Sequence, residues 1–172
     1  MFKCTGLTLL ELLFTIAIIA LVTSLAAPLV TSMQKNLQLK GAIQTGYFAL
    51  QQARSSAISK GMSVSMVFQS GKYWCAALSD SGLCDCSKFN DCTIDGVEQK
   101  ITNTDFNLIS MRDLKFGKDS VAIFDGLRGL AVGHAGSLVF TDGSQRLKLI
   151  LSNMGRVRIC ALGVATGGYQ LC

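Results

Sequence analysis

Hydrophobic periodicity divides the chain into three parts. From position 7 to 30 apolar residues follow one another with one charged interruption, Glu11. As a helix this run of about 24 residues measures roughly 36 Å, enough to cross a hydrocarbon core. Pro28 lies inside it, where the missing backbone donor can bend or locally melt a helix. From 33 to 58 the apolar positions Met33, Leu37, Ile43, Tyr47, Leu50, Ala53 and Ala57 recur at helical spacing, with Lys35, Gln38, Lys40, Gln44 and Gln51 between them. That pattern predicts an amphipathic continuation of the helix whose stripe covers a sheet, with Gly61 as its C-terminal stop.

Beyond Gly61 the period shortens. β-prone runs at 62–68, 73–78, 101–109, 121–124, 137–141, 146–151 and 155–162 are separated by turn chemistry. Asp125-Gly126 and Asp142-Gly143 are turn pairs, and Gly71 separates the first two runs. The expected fold class is α+β: a long N-terminal helix, first membrane-spanning and then amphipathic, packed on an antiparallel sheet. In the last two runs, burying Leu147, Leu149, Leu151, Val157 and Ile159 turns Arg146 and Lys148 outward on one strand and Arg156 and Arg158 outward on the next. A hairpin turning over 152–155 is expected to bring Lys148 near Arg158, a like-charge opposition that an anionic partner would relieve.

Composition sharpens this picture. With 172 residues, 49% of them hydrophobic and 16% charged, the chain has room for one membrane element and one packed domain, and general disorder is excluded. The net charge is +5, and residues 143–172 hold Arg146, Lys148, Arg156 and Arg158 with no Asp or Glu. The basic excess sits where it could meet a polyanion. Of seven cysteines, Cys4 lies at the extreme N-terminus and six, Cys75, Cys84, Cys86, Cys92, Cys160 and Cys172, lie in the body. An even set in an exported domain reads as disulfides, with Cys160–Cys172 the most plausible bridge and the rest of the connectivity open. A zinc site is the competing reading for the four clustered thiols, but C-x-C-x5-C lacks the paired knuckles of common zinc sites.

Glu11 is costly in a plain anchor, by about 2.5–3.5 kcal/mol at a bilayer centre, and so points to a partner. The residues GLTLLELL at 6–13 resemble the prepilin signature. By that resemblance a prepilin peptidase cuts after Gly6, Leu7 becomes the methylated mature N-terminus, and Glu11 pairs with the terminal amine of a neighbouring pilin subunit. Leu7 departs from the phenylalanine most common there. ARSSAISKG at 53–61 resembles the same stretch in the GspH/FimT branch of type IV pilin-like proteins. The implied organisation is a leader over 1–6, a transmembrane and assembly helix over 7–30, its amphipathic continuation over 31–61 and a periplasmic β-rich domain over 62–172. The implied location is the bacterial inner membrane, crossed once, and then a pilus or pseudopilus. An ordinary secretory signal is the alternative, with Ser24, Leu25 and Ala26 as a small-x-small site and Ala27 as the new terminus.

GRVR at 155–158 resembles the C-terminal GRxR signature of FimT-like minor pilins, which are linked to DNA binding in natural transformation. The resemblance implies a minor pilin whose Arg146, Lys148, Arg156 and Arg158 touch double-stranded DNA at phosphates. Two other readings stand beside it: a structural minor pilin or pseudopilin of the FimU or GspH kind, and a solvated basic edge that discourages aggregation. No nucleophile elbow, phosphate loop or metalloprotease helix occurs, so neither an enzyme nor a cofactor is expected. His134, among glycines and alanine, reads as a loop residue, and Trp74 as core.

Overall fold

The computed structural model describes residues 8–166 and 168–172. Helix α1 runs over Leu9–Lys60 and is continuous through position 28. The chain forms two compact units, Met1–Gln34 and Lys35–Cys172. In the first, the described residues form a helix long and apolar enough to cross a membrane by length and composition. Its hydroxyls are satisfied internally: Thr15 donates to the Leu12 carbonyl at 2.8 Å, Thr23 to Ile19 at 2.9 Å and Ser24 to Leu21 at 2.8 Å. Such back-bonding removes the cost of placing these side chains in an apolar medium.

In the second unit the helix lies on two antiparallel sheets. Strands β1 (Val64–Gln69), β2 (Cys75–Ser79), β5 (Lys100–Thr102) and β7 (Val121–Phe124) make one, in the order β5-β2-β1-β7. Strands β6 (Ser110–Phe116), β8 (Gly136–Thr141), β9 (Arg146–Leu151) and β10 (Val157–Ala161) make the other, in the order β10-β9-β8-β6. A small hairpin, β3 (Thr93–Ile94) with β4 (Val97–Glu98), stands apart. Alternate residues of each sheet meet the helix in one core: Val64, Met66 and Phe68 from β1, Leu138 and Phe140 from β8, Leu147, Leu149 and Leu151 from β9. The helix contributes Leu39, Ala42, Ile43, Ala49, Leu50, Ala53 and Ala57. Its small residues allow close approach, and a Cβ on Gly46 would already touch Phe140 and Leu149 at 3.4 and 3.5 Å. Trp74 is buried, and its indole N–H donates to the Ile109 carbonyl at 2.8 Å.

Two expectations are corrected. Met33 and Leu37 are exposed, and Leu39, Ala42 and Ala49 take their place. Small residues complete the buried face, so a stripe drawn through the large side chains was displaced at its start. The strand expected over 101–109 ends at Thr102: Asp105 accepts from the Thr102 amide at 2.9 Å and the Ile109 amide returns to the Phe106 carbonyl at 3.0 Å, which makes the stretch a turn. The strand of that region is β6 instead. Its alternation is broken by a bulge between Arg112 and Lys115, with Asp113 at φ 49°. That break is why Met111, Leu114 and Phe116 do not read as period two.

The helix end is tied to the residue after β2 and to the β3–β4 turn. Lys60 Nζ donates to Asp80 at 2.7 Å and to Asp95 at 2.6 Å, and Asp80 also accepts from the Asp95 amide at 3.0 Å. The Lys60 contact holds the Asp80 carboxyl below its ordinary value, and Asp80 and then Asp95 raise the Lys60 ammonium above its own. The Asp80 contribution is therefore complete above the ordinary carboxylate range and is lost as pH falls through its lowered folded value. The Lys60 contribution is complete below the ordinary lysine value and is lost only as pH rises through its raised one. Lys60→Gln should flatten the acid limb of melting temperature against pH below about pH 4. An acid limb as steep as the parent's would show that this cluster carries none of the pH dependence.

Candidate functional site

The alternation of β9 and β10 places Leu147, Leu149, Leu151, Val157 and Ala161 in the core. Arg146, Arg156 and Arg158 are exposed and Lys148 is half-buried on the opposite side. The register differs from expectation. Val157 pairs with Leu151, Arg158 with Ile150, Ile159 with Leu149 and Cys160 with Lys148. A shift of two residues preserves the faces, so both registers bury the same side chains. In the observed one each cation stands opposite a neutral residue, and Lys148 and Arg158 are diagonal neighbours at about 7–8 Å. The expected direct opposition is absent, and relieving it supplies no drive for an anion.

The turn explains the register. The Ser152 amide donates to the Arg156 carbonyl at 3.0 Å, the Gly155 amide to Ser152 at 2.9 Å and the Arg156 amide to Ser152 Oγ at 3.2 Å. Gly155 has φ +71°, and a Cβ there would collide with the Gly129 carbonyl. Arg54 on the helix donates to the Gly155 carbonyl at 3.3 Å. The glycine of GRVR thus shapes the turn, and the helix residue Arg54 holds it.

Two cations that sequence reasoning missed join this face. On β8, Ser137 pairs with Ile150 and Val139 with Lys148; on β6, Lys115 pairs with Ser137 and Arg112 with Val139. Arg112 and Lys115 are therefore on the side of the sheet that carries Lys148 and Arg158. The odd spacing of Met111, Leu114 and Phe116 was the available signal, since it marks a bulge. Among the described residues, none of Arg112, Lys115, Arg146, Lys148, Arg156 or Arg158 has a carboxylate within ion-pair distance. Nearby Asp142 is committed to its own turn. Burial pushes its carboxyl up, but the amides of Gln145 and Ser144 and the Ser144 hydroxyl, at 2.6 to 2.9 Å, outweigh this and hold it below its ordinary value.

The six body cysteines form Cys75–Cys86, Cys84–Cys92 and Cys160–Cys172. The first two bridges fold the loop over 80–92 against the outer side of β2, where Cys75, Ala77, Cys86 and Cys92 make a second buried cluster. The third closes the C-terminal segment along β10, where the Ala161 amide donates to Gln170 at 2.8 Å and the Cys172 amide to Ala161 at 3.1 Å. Among the described residues no group of three or more His, Cys, Asp or Glu could hold a metal. Glu11 lies in the first turn of α1, and its amide donates to Thr8 Oγ1 at 3.3 Å. Gly6 and Leu7 lie outside the described residues. His134 lies in the loop before β8, its amide bonded to the Ala131 carbonyl at 3.0 Å.

Comparison with known proteins bears on both ends of the chain. Residues 43–155 match the family profile described as type II transport protein GspH. Residues 1–27 match the prokaryotic N-terminal methylation motif, a span that includes Gly6, Leu7 and Glu11. The GspH match takes in Arg112, Lys115, Arg146 and Lys148 and stops before Arg156 and Arg158. No curated protein matches by sequence. Among solved structures, the type IV minor pilin FimU of Pseudomonas aeruginosa PAO1 aligns with a TM-score of 0.50 at 18% identity, over 73% of this chain and 98% of that one. That likeness shows the fold: one long helix followed by antiparallel sheets.

Proposed function

Because the chain belongs to the GspH/FimT family of minor pilins, we propose that it is a type IV pilus subunit of the FimT kind that binds double-stranded DNA during uptake. In this reading the prepilin peptidase cuts after Gly6 and Leu7 is methylated. The segment 7–30 crosses the inner membrane once and then packs with other pilin subunits in the filament, and the β-rich domain faces the periplasm. The observation that carries DNA binding is the face of the β10-β9-β8-β6 sheet. Arg146, Lys148, Arg156 and Arg158 share it, and among the described residues none has a carboxylate partner. Unpaired cations on a sheet face suit phosphates, which carry no sequence information.

Full-length protein in neutral detergent should bind duplexes of unrelated sequence with similar affinity. The hairpin's four cations should give a slope of log K against log salt of about −3 to −4. Replacing Arg156 and Arg158 together by Gln should make the slope shallower by about two units and lower transformation while pili are still made. If the parent does not bind at low salt, the basic face is a contact for other subunits, and the chain is a structural subunit of a pilus or a secretion pseudopilus.

A further inference from the structure

The cations of this sheet do not end at the hairpin. Gly71 bridges to Met111 on the free side of β6, with its amide 2.9 Å from the Met111 carbonyl. Lys72 follows on the outer side. It lines a hollow of about 450 Å³ together with Arg112, Thr141 and Gly143. A second hollow of about 330 Å³ shares Arg112, Thr141 and Gly143 with the first and is closed on its other side by Arg146. The two form one trough over the end of β8, with Val139 and Thr141 in its floor. Lys72 and Arg112 stand on one rim and Arg146 on the other, and β6 and β9 are two strand spacings, roughly 10 Å, apart.

The trough is chemically suited to an anion. Lys72 Nζ lies 5.8 Å from the ring centroid of Tyr73, within cation–π range, and among the described residues it has no carboxylate within ion-pair distance. Arg112 has no carboxylate within ion-pair distance among the described residues. Two acids border the trough. Asp142 has its Oδ1 occupied by Ser144 and Gln145, and Asp113 sits on the bulge of β6 with an exposed side chain. The cations Lys72, Arg112 and Arg146 outnumber them.

We infer that this trough is a second phosphate-binding subsite, adjoining the GRVR hairpin at Arg146, and that Lys72 and Arg112 extend the polyanion's path across the sheet. The inference rests on the DNA-binding reading and assigns that reading a second set of contacts. A polyanion lying across both subsites meets six cations instead of four, and the salt slope of the parent steepens to about −5.

The test is a salt titration of duplex binding by the full-length protein in neutral detergent. Lys72→Gln with Arg112→Gln should make the slope shallower by about two units. Raising salt from about 50 to about 200 mM should then weaken the variant roughly tenfold less than the parent. The same change in charge at Lys35 and Lys88, on the helix and in the 80–92 loop, should leave the slope within about half a unit of the parent's. If the parent binds and Arg156→Gln with Arg158→Gln flattens the slope while the Lys72 and Arg112 pair does not, the subsite is wrong and the hairpin reading survives. Equal flattening by the Lys35 and Lys88 pair would also overturn the subsite, since net charge alone would explain the effect. No binding by the parent overturns both.

Discussion

A Glu11→Ala variant should be cut normally at its leader and yet enter filaments on the order of a hundredfold less efficiently. The proposed partner of Glu11 is the terminal ammonium of a neighbouring subunit, inside an apolar helical core. Removing one member of a buried ion pair leaves the other charge desolvated, at a cost of about 3–5 kcal/mol. Even the lower figure is a factor of about 100 in an equilibrium at 1.4 kcal/mol per decade. A local role for Glu11 gives a much smaller number. It sits in the first turn of α1, with its amide bonded to Thr8 Oγ1, where a carboxylate stabilises the helix end by only about 0.3–1 kcal/mol. Glu11→Gln keeps the length and polarity of the side chain and removes only its charge, so it ties the loss to the charge, and the size of the deficit separates the two roles. Both variants should partition almost wholly into the membrane pool when pili are sheared and the fractions compared by immunoblot. A deficit below about fivefold in either would leave only the helix-end role.

Reduction of the three disulfides should unfold the β-rich domain. The bridges close loops with sequence separations of 11, 8 and 12. Loops this short each constrain the unfolded chain by roughly 2–3 kcal/mol, and typical total stabilities are only about 5–15 kcal/mol. Placement adds to the effect. Cys75 and Cys86 are 5% and 2% exposed and Cys92 is fully buried, so the first two bridges also hold the loop that covers the outer side of β2. Without them Ala77 and the rest of that side of β2 meet water. The unreduced protein should yield essentially no reactive thiol from the six body cysteines in a native titration, and reductant should lower the melting temperature by 10 °C or more, at about 4–8 °C per kcal/mol for a small domain. Six thiols titrating without reductant, or a melting curve that reductant leaves in place, would show that the domain stands without its bridges.

Local periodicity carried the long helix and most of the strands, although it misplaced the start of the buried stripe and drew a strand over 103–109. An apolar run long enough to span a bilayer, a helical stripe after it and period-two runs beyond Gly61 are written into neighbouring residues, because a helix or strand repeats its environment every few positions. The outward direction of Arg146, Lys148, Arg156 and Arg158 followed for the same reason. Tertiary structure decided what periodicity leaves degenerate. Sliding β10 by two residues along β9 buries the same side chains, so only the turn built on Gly155, Gly129 and Arg54 selects the register that sets Arg158 opposite Ile150. The β6 bulge erased the alternation that would have announced Arg112 and Lys115. Lys72 joins them through a bridge between residues 40 positions apart, Gly71 and Met111. The cysteine partners follow the same logic: Cys75 meets Cys86, and Cys84 meets Cys92, because the outer side of β2 buries that loop. Pairings between distant segments are fixed by packing, and packing is a property of the whole core that no local pattern carries.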